Sequence, residues 1–66
     1  MKELVGEVIN YNGYSGRIVV DNKEYILLDN NIVHGEVINN NDKVSFIPEE
    51  INDILIARFV KNVVNK

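Results

Sequence analysis

The amino-acid sequence predicts a small all-β domain of five strands. Its apolar residues fall in short runs rich in Val, Ile, Tyr and Phe. Clusters of Gly, Asn and Asp separate those runs, and no segment keeps a helical period. Five strands closing on themselves would remove the exposed edges that make small sheets aggregate.

The first strand is expected from about Glu3 to Tyr11, ended by Asn12-Gly13, a strong turn signal. The second is Gly16 to Asp21. Arg17 and Val19 alternate there with Ile18 and Val20, so the two pairs face opposite ways. Asp21-Asn22-Lys23 then closes a tight hairpin, with Asn suited to positive φ. The third strand, Glu24 to Leu28, is apolar on both faces, as a covered strand would be.

Asp29 to Asn41 is a connector, with Ile32 and Val33 expected as a buried plug. In the fourth strand, Asp42 to Ile47, Val44 and Phe46 should face in while Lys43 and Ser45 face out. Pro48 should stop it, because proline cannot donate to a ladder. Glu49 to Asp53 then reads as a polar loop. The fifth strand, Ile54 to Val64, is expected to bulge near Ala57. The spacing from Ala57 to Val60 is odd, so the strand must slip for both to reach the core.

With 66 residues, the chain (1–66) makes one domain, and a domain of this size buries only about 60% of its unfolded surface. There are no cysteines, which excludes disulfide staples, thiolate metal sites and thiol nucleophiles. No apolar run approaches the roughly 20 residues that span a bilayer. The opening Met1-Lys2-Glu3-Leu4-Val5-Gly6 is too short and too acidic for a signal peptide, so a cytoplasmic setting is the default expectation. The net charge of −3 argues against a large basic footprint on duplex DNA. It leaves room for single-strand binding, where base stacking carries much of the affinity. Eleven asparagines spread over turns and ends read as turn formers, since Asn tolerates left-handed backbone.

The order of these pieces resembles the bacterial cold-shock proteins. Gly6-Glu7-Val8, then Tyr11-Asn12, then Gly13-Tyr14-Ser15-Gly16 with Ile18 beyond, resembles the opening of that family. Tyr25-Ile26-Leu27-Leu28-Asp29-Asn30-Asn31-Ile32 is similar to its third strand and the turn after it. Asp42-Lys43-Val44-Ser45-Phe46 and Ile56-Ala57-Arg58-Phe59-Val60-Lys61-Asn62-Val63 are similar to its last two strands. The resemblance covers nearly the whole chain. It implies a five-stranded antiparallel OB-type barrel that binds single-stranded RNA or DNA on the outer face of strands one to three.

The family does so with two aromatic-rich motifs, Lys-Gly-Phe-Gly-Phe-Ile and Val-Phe-Val-His-Phe. In this chain Tyr14 is the ring left in the first, and Arg17 replaces a stacking Phe. Ile26, Leu28 and Asp29 stand where the second has Phe, His and Phe, and Asn10 stands near the family's exposed Trp.

The candidate contacts are therefore Asn10, Tyr11, Tyr14, Arg17, Ile26 and Leu28, with Lys23 and Arg58 adding charge. Tyr11 and Tyr14 would stack bases, Arg17 would stack or grip phosphate, and Ile26 and Leu28 would form an apolar floor. Lys2 and Lys61 read as ordinary surface cations. Binding is expected to be weak, salt-sensitive and of low sequence specificity. The rival reading is a protein-interaction or homodimerising domain that has lost its nucleic acid. It rests on Ile9, Val19, Ile26 and Leu28, all expected on one outer face.

His34 is the lone imidazole in a Val-His-Gly-Glu loop, with no second His or Cys to share a metal. Glu49, Glu50 and Asp53 lack the glycine turn and oxygen spacing of a calcium loop. Ser15 and Ser45 have no base nearby in sequence. No cofactor, no metal, no membrane association and no catalysis are expected.

Overall fold

Alternation along each strand carries one set of side chains into a common interior, and the sheet closes around it. The computed structural model describes residues 2–63. Its strands are β1 (Leu4–Ile9), β2 (Ser15–Val20), β3 (Lys23–Leu28), β4 (Lys43–Ile51) and β5 (Ile54–Asn62). They form a closed barrel in the order β1-β2-β3-β5-β4. Four of the pairings are antiparallel. The β3–β5 pairing, through Ile26 and Ile56, is parallel, so the barrel is mixed rather than wholly antiparallel. Among the described residues no helix is long and apolar enough to cross a membrane.

The interior is built from Val8, Ile18, Tyr25, Leu27, Val44, Phe46, Ala57 and Val60. The Tyr25 and Phe46 rings meet at 5.0 Å between centroids with a 56° tilt, the inclined geometry that aromatic quadrupoles favour. Gly6 and Gly16 let neighbouring segments close in. A Cβ on Gly6 would lie 2.6 Å from the Val19 carbonyl oxygen, and one on Gly16 would lie 2.7 Å from Tyr11 Cα.

Two tight hairpins set the register. Val20 pairs with Lys23 across Asp21-Asn22, where Asp21, rather than Asn22, takes the positive φ of 55°. Ile51 pairs with Ile54 across Asn52-Asp53, both at positive φ, as in a type I′ turn.

That second hairpin corrects two expectations. β4 runs through Pro48 to Ile51, and Glu49 and Glu50 are strand residues rather than loop. The reason is positional. β1 covers β4 only over Lys43 to Phe46, so beyond Phe46 the strand is a free edge where a missing donor is tolerated.

The connector also differs from expectation. Ile32 bridges to Val60 and packs partly on the core, but Val33 is 36% exposed. Ile38 is the connector residue that enters the core, at 7% exposure. The Val33 amide donates to the Val60 carbonyl at 2.9 Å, which fixes the backbone beside β5 and leaves the Val33 side chain outside. Ser45 alternates outward as expected, yet is only 6% exposed, because it floors a shallow groove lined by Val5, Glu36 and Lys61.

The slip in β5 is present, two residues beyond Ala57. Ser45 pairs with Lys61 and Ile47 with Arg58, so one residue of β4, Phe46, lies opposite two of β5, Phe59 and Val60. Phe59 is the extra residue and has φ of 55°. Ala57 and Val60 are both fully buried as a result. The expected terminus of this strand at Val64 lies outside the described residues.

Candidate functional site

The outer faces of β1, β2 and β3 carry the expected contacts in a definite row. Ile9 pairs with Arg17, Arg17 with Ile26, and Ile26 with Ile56 of β5. Strand alternation puts Val19 and Leu28 on the same surface, since their neighbours Ile18 and Leu27 are buried. Val19 is flanked in register by Glu7 and Glu24, and Leu28 pairs with Ser15. The face is thus an aliphatic floor crossed by one guanidinium and bordered by two carboxylates.

Ile9, Val19, Ile26 and Leu28 are all half-buried on this face. Arg17 lies in register between Ile9 and Ile26 and is exposed. Its Nη1 donates to the Gly16 carbonyl at 3.1 Å, so the head group curls back along its own strand. Lys23 is not part of this row. It shares the pleat side of Tyr25 and sits at the β2–β3 turn, beside Leu4, Val20 and Asp21.

The loop between β1 and β2 is held at many points. Asn10, at φ 54°, turns the chain out of β1 and is itself exposed. The Asn12 side-chain oxygen accepts from the amides of Tyr14 (2.9 Å) and Ser15 (3.0 Å). The Asn12 amide in turn donates to the Ser15 carbonyl at 3.1 Å. The Asp29 amide donates to the Tyr14 carbonyl at 3.0 Å, tying the loop to a 3₁₀ turn, Asp29–Asn31, that follows β3. On this rigid mount the Tyr14 ring stands 75% exposed.

Tyr11 behaves differently. Its ring packs against the core and its backbone is clipped by one side chain. Asn40 Oδ1 accepts from the Tyr11 amide at 2.7 Å, and Asn40 Nδ2 donates to the Tyr11 carbonyl at 3.1 Å. Asn40 therefore imitates a neighbouring strand. Burial pushes the Tyr11 phenol above the usual value near 10, and the Asp29 carboxylate acts in the same direction.

Arg58 lies away from the row, across β5. It is paired with Glu49 of β4, and its guanidinium carbon stands 6.0 Å from the centroid of the Phe59 ring. Phe59 is 61% exposed and was not among the residues expected to bind. The odd Ala57-to-Val60 spacing marked the bulge that displays it, but not which side chain the bulge would turn outward. Asn40 was likewise missed, because nothing local in the sequence ties it to Tyr11 across 29 positions.

Among the described residues no three of His, Cys, Asp or Glu converge as a metal would require. Comparison with protein-family models, with curated proteins and with solved structures returns no match to this chain. The likeness to an OB barrel therefore stands on the strand order alone: three consecutive antiparallel strands, a parallel β3–β5 join, and closure through β4 onto β1.

Proposed function

We propose that this protein is a cold-shock-type OB module that binds single-stranded nucleic acid, RNA or DNA, on the outer face of β1, β2 and β3. One observation carries the reading: the Tyr14 ring, exposed on a loop whose backbone is bonded at Asn12, Tyr14 and Ser15, at the edge of a face whose Arg17 makes no ion pair among the described residues. Fixing the loop backbone before binding lowers the entropy lost when a base stacks on the exposed ring. Strands two and three and the loop between strands one and two are where OB barrels take oligonucleotides. Ile26 and Leu28 supply floor rather than stacking, and Tyr11 contributes its edge only, because the ring is packed inward. Binding is weak and sequence-tolerant on this reading, and the setting is cytoplasmic.

Amide shifts in NMR spectra on adding a short oligonucleotide test the proposal. Shifts should concentrate at Asn12 to Arg17 and Ile26 to Asp29. No shift at millimolar oligonucleotide, together with a stable dimer in sedimentation, would transfer the face to the interaction reading through Ile9, Val19, Ile26 and Leu28.

A further inference from the structure

Phe59 is the least expected residue on this surface. A bulky side chain at φ 55° is a true backbone outlier, and outliers of this kind persist where the surroundings hold them for a purpose. The bulge that creates it re-aims the ring away from the barrel. Two clefts flank that ring. One is lined by Asn30, Asn31, Ile32, Val33 and Arg58, the other by Ile47, Pro48, Glu49 and Arg58.

The first cleft has a mixed chemistry. It joins an exposed aromatic face, a guanidinium and two primary amides. Neither the Asn30 nor the Asn31 amide is engaged by another described side chain or backbone group. A nucleobase satisfies all of them: its π-face takes the ring, and its edge offers paired donors and acceptors that an Asn amide matches. The cleft also adjoins the Tyr14 loop through the 3₁₀ turn. Asp29 is bonded to Tyr14 at one end of the 3₁₀ turn, and Asn30 and Asn31 face Phe59 at the other.

We infer that Phe59 and Arg58, with Asn30 and Asn31, form a second base-stacking station, reached by a strand that leaves Tyr14 and crosses the 3₁₀ turn. The inference rests on the single-strand reading above and adds a subsite outside the β1–β3 face. Ile32 and Val33 wall the cleft, and the Glu49 carboxylate holds Arg58 beside the ring.

The test is fluorescence anisotropy with a labelled single-stranded oligonucleotide of about ten nucleotides, within the roughly 4–16 that OB folds accommodate. The wild-type chain is compared with Phe59→Asn and Phe59→Leu. Both variants should lose roughly 5- to 140-fold in affinity, the range for one lost stack. Phe59→Asn should melt no lower than wild type, because Asn accepts positive φ and the exposed ring packs little. Loss of binding without loss of stability is the supporting result. Unchanged affinity in Phe59→Asn, or full binding by Phe59→Leu, overturns the station and leaves the Tyr14 face standing. No binding by the wild-type chain overturns both.

Discussion

Salt dependence is the sharpest test of where a strand lies on this barrel. Each phosphate neutralised on a single strand adds about −0.7 to the slope of log K against log salt. On the outer face of β1–β3, Arg17 makes no ion pair among the described residues, whereas Arg58 is held by Glu49 and Lys23 sits at the far turn. One to two phosphate contacts follow, and a slope of about −0.7 to −1.4. Between 50 and 200 mM KCl, affinity should then fall only about three- to sevenfold, far less than for a protein gripping many phosphates. Anisotropy titrations across that series measure the slope directly. Arg17→Ala should remove about 0.7 of it, while Tyr14→Ser should lower affinity at every salt concentration and leave the slope alone. A slope steeper than about −3, or an Arg17→Ala slope equal to wild type, would mean the strand runs over other cations and the face has been misplaced.

Gly6→Ala should destabilise by about 2–3 kcal/mol, lowering Tm by on the order of 10 °C, because the new methyl meets Ile18 Cγ2, the Val19 carbonyl and Val20 Cγ2 within 2.6–2.7 Å. Thermal melting by circular dichroism reads it, and a Tm within about 2 °C of wild type would contradict the close approach of β1 and β2. Asp53→Gly should stabilise by about 0.5–1 kcal/mol, since Asp53 holds φ of 69° in a turn that prefers Asn-Gly; urea denaturation measures the gain. Tyr11 should ionise above the usual tyrosine range, followed by absorbance at 295 nm. Its folded pKa is raised, so its contribution to stability is whole below about pH 10 and is lost as pH climbs from there through the folded value. Tyr11→Phe should abolish that alkaline loss, and Asp29→Asn should reduce the upward shift without removing it.

The asparagines show how far local reading reached. Their abundance marked turns, and they serve as turns by two separate means. Asn10, Asn41 and Asn52 take positive φ, while Asn12 and Asn40 accept backbone amides with their side chains. The two-residue alternation named most of the core, because Val8, Ile18, Tyr25, Leu27, Val44 and Phe46 all follow it. The odd step from Ala57 to Val60 even announced the bulge. Ile38 was missed because the connector has no period to read; the residues on either side of it are tied down by Asn62, bonded to the Val37 carbonyl, and by Asp42, bonded to the Asn39 amide.

What the sequence determined alone, then, was carried by neighbours a few positions apart: five strands, their inner faces, the β2–β3 turn and a slip in the last strand. Such features depend on local backbone preference and on which side of a pleat a residue occupies. Tertiary structure decided the rest. β4 passes through Pro48 because β1 leaves its far side uncovered, Asn40 reaches across to clip Tyr11, and Phe59 faces outward beside Arg58 and the 3₁₀ turn. Each of these depends on which distant segments meet when the sheet closes, and that is set by register around the whole barrel.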